Sequence, residues 1–344
     1  MKSFHRPVPL GTLLFLALCL LSCSTEIDLY DDAYSDQLFV WACLDGSGEL
    51  HQVKVRKAIS EEASLEELLA RPDAYLPGFS PEVSLSTQYG YSVLLDPVLY
   101  PPQSGTFAQD SNLIYEARDY YPDSGDSVEL SVADPVTGEV VSAVIKPLGR
   151  PAFRYPFPGS ENARYNFTDP ERPFYISWSG GDVWVWSISI KYLDILLTGD
   201  TIYRKGTFFG EPKYSSPARE FPLEYLWNIF RKVIPDDPMV DYRMFHRFDF
   251  GIWAGDYHLS LYLANANKFN DNRRAHFCNI RGGAGLFYSV NQCELKNIRT
   301  YDNFANRLHT EDTLGYMKFS RYIYNGFFID PDSTLANPIK LLAR

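Results

Sequence analysis

The chain has 344 residues, 45% of them hydrophobic and 15% aromatic, a composition that excludes wholesale disorder. Its formal net charge of −11 argues against nucleic acid as a partner and against binding anionic lipid through a basic surface. The length exceeds one ordinary domain and suits two.

The N-terminus has the pattern of an export signal. Lys2 and Arg6 form a short basic region, and an apolar run follows from Thr12 to Leu21. A membrane-spanning helix needs about 20 apolar residues, so this run is too short to cross a bilayer. We therefore predict that residues 1–22 are a signal peptide.

The apolar run ends in LLSC, which resembles a bacterial lipobox. Small Ser22 precedes Cys23, whereas bulky Leu18 precedes Cys19 and makes Cys19 the poorer candidate. We expect Cys23 to carry a diacylglyceryl group, and its acyl chains, palmitate among them, to anchor the protein to a membrane. The alternative is an ordinary secretory signal with an incidental cysteine.

Residues 23–36 are polar and acidic without an apolar period, so they predict an extended tether. Glu26 and Asp28 resemble the acidic signals that send some Bacteroidota lipoproteins to the cell surface. A solvated linker without such a signal is the alternative. The expected localisation is the outer membrane, at its periplasmic face or at the cell surface.

Residues 37–146 read as an N-terminal β-sandwich of immunoglobulin-like or fibronectin III-like type. The segment begins with a strand–turn–strand pattern in which Val53 and Val55 alternate with polar residues. A capping-box spacing at Ser64 and Glu67 predicts one short helix, which Pro72 ends. Five further strand-like runs follow at roughly ten-residue spacing, EVSLST, YSVLL, LIYEA, SVELSVA and EVVSAVIKP, with a turn from Asp134 to Glu139.

A proline-rich connector at 147–159 leads to a second domain at 160–344, predicted to be mainly β and aromatic-rich with one or two short helices. Two strands are expected around Gly180 and Gly181, and YHLSLYLANA, with His258 inside it, reads as another alternating strand. A helix is predicted after Pro222, with apolar residues at i, i+3, i+4 and i+7, and Pro235 and Pro238 end it.

Three cysteines remain in the mature chain once Cys23 is acylated, namely Cys43, Cys278 and Cys293. Cys278 and Cys293 flank a glycine-rich stretch and form the natural candidate disulfide. The alternative is that all three are reduced and buried as small hydrophobic residues. No C-x-x-C motif is present, so neither a structural zinc site nor a redox motif is predicted.

No catalytic, metal or cofactor site is predicted. The six histidines are scattered, and no G-x-S-x-G motif occurs. The carboxylate pairs Asp236–Asp237 and Asp123/Asp126 have the residue types of a glycosidase, but their proline and glycine neighbours favour turns. Asn265 to Asn272 lacks the order of a calcium loop. A glycan hydrolase is therefore a remote alternative, and we expect no enzymatic activity.

The aromatic strand around Trp184 and Trp186 allows two interpretations. On an exposed face, these rings would form a platform for a sugar or peptide ligand. On a buried face, they would be ordinary sandwich core, which is the favoured interpretation.

The glycine-rich stretch CNIRGGAGLFYS, residues 278–289, has neither the Lys-Ser or Lys-Thr of a Walker loop nor the third glycine of a dinucleotide-binding fingerprint. An aromatic, β-branched run follows it instead of a helix start. The favoured interpretation is a turn or bulge between strands, where glycine supplies a positive φ.

Several motifs, in the same order, resemble a family of Bacteroidota lipoproteins known as domain of unknown function 4249. They are the lipobox with EIDL, the hairpin LFVWACLDGSGELHQVKVRKA, the run DSVELSVADPVTGEVVSAVIKP, and CNIRGGAGLFYS as an N-I-x-G-G-x-G-x-F signature. The resemblance spans roughly residues 23–300 and implies an outer-membrane lipoprotein, often encoded beside TonB-dependent receptors, without assigned catalytic residues. The segment from Pro212 to Arg247 and the tail after Thr310 match no part of it.

Two functions follow as hypotheses. The first is a non-enzymatic lipoprotein that binds a ligand or serves as an accessory component of TonB-dependent uptake, with the receptor as its partner. The second is a structural or adhesive surface lipoprotein associated with fimbriae.

Overall fold

The structure is a computed structural model that describes residues 38–47, 50–57, 80–101, 112–159, 163–169, 171–214, 216–266, 278–301, 303–311, 315–327 and 331. The signal peptide, Cys23, the tether and the helix expected at Ser64 lie outside the described residues. Among those described, no helix is both long enough and apolar enough to cross a membrane.

The described residues are mainly β, as predicted, with seventeen strands and three short helices. The strands of the first half are β1 (Leu38–Asp45), β2 (His51–Lys57), β3 (Glu82–Thr87), β4 (Ser92–Leu94), β5 (Asp96–Tyr100), β6 (Asn112–Ala117), β7 (Val128–Ala133) and β8 (Val140–Ile145). Those of the second half are β9 (Ala152–Tyr155), β10 (Arg164–Tyr165), β11 (Phe174–Ser179), β12 (Val183–Leu196), β13 (Thr201–Phe209), β14 (Ala218–Phe221), β15 (Val240–Gly255), β16 (Ala284–Thr300) and β17 (Phe319–Ile323). The helices are α1 (Leu223–Val233), α2 (Tyr257–Ala266) and α3 (Asn303–Glu311).

The N-terminal strands form the expected β-sandwich. A four-stranded sheet in the order β4-β3-β7-β8 faces β1, β2 and β6 across a shared apolar core. Alternation creates this arrangement: Val128, Leu130 and Val132 of β7 are buried, whereas Glu129 between them is exposed. Each inner face therefore contributes every second side chain to the core.

One sheet of ten strands runs through both halves of the chain. Its main path is β13-β12-β15-β16-β1-β2-β6-β5, with β10 and β17 paired at its sides. The two halves join where β1 pairs in parallel with β16, from Phe39 opposite Ala284 to Asp45 opposite Val290. Strand β9 lies within the predicted connector and pairs with β11. The sheet thus continues across the boundary drawn from the sequence.

A second, aromatic core fills the C-terminal half. A small sheet in the order β14-β11-β9, together with α1 and α3, contributes to the same core as β12, β15 and β16. Helix α1 follows Pro222 and ends at Val233, and its buried residues are Leu226, Trp227, Ile229 and Phe230. This confirms the predicted helix and its apolar face.

The strand expected at Tyr257–Ala266 is wrong, because this segment is helix α2. Asp256 accepts a hydrogen bond from the Leu259 backbone N–H at 3.0 Å, which is an N-cap contact. Leu259 and Leu263 are buried one turn apart. Leucines at every second position fit a strand period, but two of them also satisfy the i, i+4 spacing of a helix.

The glycine-rich stretch brings the start of β16 against the backbone of β1. Gly282 and Gly285 have φ values of 73° and 123°, which favour glycine. A Cβ at Gly285 would overlap the carbonyl oxygen of Val40. The interpretation that these glycines serve backbone geometry is confirmed.

Candidate functional site

The candidate site is a surface cavity of about 510 Å³ in the C-terminal half. Strands β11 and β14, the loop between β13 and β14, and the first turn of α1 supply its walls. Its lining residues are Tyr175, Lys213, Ser216, Ala218, Arg219, Glu220, Pro222 and Tyr225. The size is within the range of cavities that bind small ligands.

Arg219 is the central cation of this cavity. Strand pairing sets Arg219 opposite Ile176, so its side chain leaves the sheet on the buried face. Its guanidinium carbon lies 4.6 Å from the ring centroid of Tyr225 and 5.6 Å from that of Trp186. Stacking on aromatic rings holds the guanidinium in place and leaves its N–H edge for a hydrogen-bond acceptor.

The Arg219 guanidinium has no acceptor for its buried Nε within the described part of the chain. A buried donor without an acceptor costs about 1–3 kcal/mol, and more when it is charged. The stacked guanidinium lies in the lining of the cavity, and this position makes Arg219 the candidate binding group.

Lys213 is the second cation. Its Nζ donates to the carbonyl oxygen of Ala218 at 3.1 Å, and its backbone pairs with Trp184. Burial, together with the nearby charge of Arg219, lowers the pKa of Lys213 below its usual value. An anion in the cavity would oppose both effects, because it favours the charged ammonium.

Tyr175 and Glu220 stand opposite each other in the pairing of β11 with β14. The Tyr175 ring is 43% exposed and stacks on Tyr155, with 4.5 Å between the ring centroids. Glu220 is exposed and contributes one carboxylate to the lining of the cavity. The lining therefore carries a single net positive charge on a chain whose net charge is −11.

Trp184 and Trp186 do not form an exposed platform. They are only 7% and 2% exposed and belong to the aromatic core, as the favoured interpretation held. Trp184 donates from Nε1 to the carbonyl oxygen of Gly180 at 2.6 Å. The Trp186 ring packs against the guanidinium of Arg219, but it is too buried to contact a ligand itself.

The candidate disulfide between Cys278 and Cys293 is not formed, and all three described cysteines are thiols. The Sγ of Cys278 lies near the carbonyl oxygen of Gly283, just before β16, whereas Cys293 lies ten residues further along. At about 3.3 Å per residue, this places them roughly 30 Å apart. A disulfide needs Cα atoms within about 7 Å. Cys43 and Cys293 are buried, but Cys278 is exposed.

The other candidate catalytic or metal-binding residues do not lie together in one site. Asp126 donates from its backbone to the Asp123 carbonyl in a turn, and Asp237 accepts from the Met239 N–H in another. His258 lies on α2 with its Nδ1 3.4 Å from a carboxylate oxygen of Asp256. Across the described ranges, no group of three or more His, Cys, Asp or Glu side chains is placed to hold a metal ion.

Buried ion pairs on the large sheet were not anticipated from the sequence. Arg243 is fully buried, and its Nε lies 2.7 Å from a carboxylate oxygen of Asp194. Lys191 lies 2.9 Å from a carboxylate oxygen of Asp249. Arg243 also donates to the carbonyl oxygens of Tyr316, Met317 and Pro235. These charges have partners inside the protein, so they are part of the scaffold.

The cavity itself was also missed, although it lies in the segment from Pro212 onward that matched no part of the resembled family. Lys213 and Arg219 are six residues apart on either side of a turn-rich stretch, a spacing without a recognisable motif. Tyr175 joins them only through the pairing of β11 with β14. In the sequence, the cavity is indicated only by basic residues that precede the start of a helix.

The chain matches no protein-family model, and a search of curated proteins also gives no match.

Proposed function

We propose that the chain is a lipid-anchored, non-enzymatic binding protein of the bacterial outer membrane, an accessory component of TonB-dependent uptake that binds a small anionic ligand. The binding role is supported by Arg219, whose guanidinium stacks on two aromatic rings in the lining of a surface cavity.

The chemistry of the lining supports recognition. A guanidinium, an ammonium, two phenols, a hydroxyl and a carboxylate surround the cavity. These groups fix a ligand through charge and hydrogen bonds. The buried ion pairs of the large sheet are separate from this set and already paired.

The anchor is supported by the sequence at Cys23 and by the resemblance to outer-membrane lipoproteins. Residues 23–36 extend to at most about 50 Å, and the described fold begins at Leu38. A tether of this reach would let the folded part approach a receptor in the same membrane.

Metabolic labelling with palmitate and membrane fractionation test the anchor. We expect Cys23→Ala to lose the label and to leave the outer-membrane fraction, whereas the matched variant Cys19→Ala keeps both. Equal labelling of the two variants would contradict lipidation at Cys23.

Crosslinking in intact cells followed by purification tests the uptake role. We expect a TonB-dependent receptor among the crosslinked proteins of the wild type, and its loss with Cys23→Ala. Recovery of fimbrial subunits without a receptor, together with loss of attachment on gene deletion, would favour the adhesive alternative.

A further inference from the structure

We infer that the ligand of the Arg219 cavity is a small monocarboxylic acid whose carboxylate binds the guanidinium of Arg219. This inference rests on the proposed binding function and specifies its ligand.

The charge of the lining selects a monoanion. Lys213 and Arg219 contribute two positive charges, and Glu220 contributes one negative charge within the same cavity. A single carboxylate leaves the occupied cavity neutral. A phosphate dianion would leave an excess negative charge and would face Glu220, which costs free energy at short range.

The geometry of Arg219 selects a planar acceptor. Because its guanidinium lies over the rings of Tyr225 and Trp186, its accessible donors are those along its edge. A carboxylate accepts two parallel hydrogen bonds from such an edge, which gives both strength and orientation.

Isothermal titration calorimetry of the full mature chain, made without residues 1–22 and carrying Cys23→Ser, tests this assignment. The probes are benzoate and glucuronate, each compared with a neutral counterpart, benzamide and glucose, and with inorganic phosphate. We expect at least one acid to bind at least about tenfold more tightly than its neutral counterpart and more tightly than phosphate.

Single-residue variants test whether the acid binds at Arg219. We expect Arg219→Lys, which keeps the charge but loses the paired donors, to weaken binding of that acid about tenfold, and Arg219→Gln to abolish it. Arg154→Gln, an exposed arginine on β9 outside the cavity, is the matched control and should bind as the wild type does.

Glu220→Gln provides a second test if the Arg219 variants fail to fold. Because Glu220 is exposed, we expect its substitution to leave the fold intact. We expect this variant to bind phosphate more tightly than the wild type does. Absence of acid binding at millimolar concentration, equal binding of the neutral counterparts, or phosphate preference in the wild type would overturn the ligand class. Calorimetry tests only the ligand, whereas crosslinking tests the association with a receptor. A negative result in calorimetry therefore leaves the uptake role to be decided by crosslinking.

Discussion

The side-chain amide of Asn279 forms hydrogen bonds with the backbone near the start of β16. Its Nδ2 donates to the carbonyl oxygen of Phe287 at 2.7 Å, and its Oδ1 accepts from the Phe287 N–H at 2.9 Å. The amide therefore occupies the place that a neighbouring strand would take. Phe287 is fully buried in the N-terminal core. The asparagine and phenylalanine of the glycine-rich signature thus have a joint structural role.

We expect Asn279→Ala to destabilise the protein by about 1–3 kcal/mol, because it leaves both backbone groups of Phe287 without partners. Urea unfolding followed by tryptophan fluorescence measures the change. Asn166→Ala, in a turn where Asn166 accepts from the N–H and hydroxyl of Thr168, removes a local amide contact outside the sheet and is the comparison. An equal or smaller loss for Asn279→Ala would contradict the role given to Asn279.

The three described thiols differ in reactivity. Burial raises the pKa of the Cys293 thiol to about 12, so this thiol stays protonated and unreactive at neutral pH. Cys43 is also buried, whereas Cys278 is exposed. In the mature chain carrying Cys23→Ser, we expect one thiol to react with an aromatic disulfide reagent in the native state and three after unfolding. A single reactive thiol after unfolding would show that two cysteines are bridged.

At the scale of elements, the contact between β1 and β16 depends on Gly285. The Cβ of any other residue would meet the backbone of Val40, which is fixed by pairing on both sides of β1. Since backbone atoms in a central strand cannot move aside as a flexible side chain does, the strands would have to separate.

We expect Gly285→Ala to cost about 3 kcal/mol or more, or to prevent folding, from steric overlap added to the strain of a positive φ. Gly125→Ala is the control, because a Cβ at Gly125 meets no atom within 4 Å. Thermal unfolding of both variants measures the difference. Similar melting temperatures would exclude a tight approach at Gly285.

Local sequence patterns predicted most strands and helix α1, because residue alternation and helical periodicity are properties of neighbouring residues. They failed at Tyr257–Ala266, where leucines fit both periods and the deciding contact was the cap from Asp256. The cavity was beyond such reasoning, since strands β11 and β14, which supply its lining, come together only through pairing between residues far apart in the sequence.

For the whole molecule, the parallel pairing of β1 with β16 makes the two halves interdependent. Seven consecutive residue pairs connect them, and Phe287 of β16 lies in the core of the N-terminal sandwich. Parallel pairing between residues this far apart leaves no local signal, so two consecutive domains were the natural expectation from the sequence.

We expect the mature chain to unfold in one cooperative transition in differential scanning calorimetry, with equal calorimetric and van't Hoff enthalpies. Two resolved transitions would instead mean that the N-terminal sandwich and the aromatic C-terminal half unfold independently, despite the continuous sheet.

We propose that this lipid-anchored protein binds a small acid at Arg219. Mass spectrometry of the small molecules released from the protein after its purification from outer membranes tests this binding. We expect the wild type and the control Arg154→Gln to release the same carboxylic acid, and Arg219→Gln at equal yield to release none. Release of that acid in equal amounts from Arg219→Gln, or no acid from the wild type, would contradict the claim.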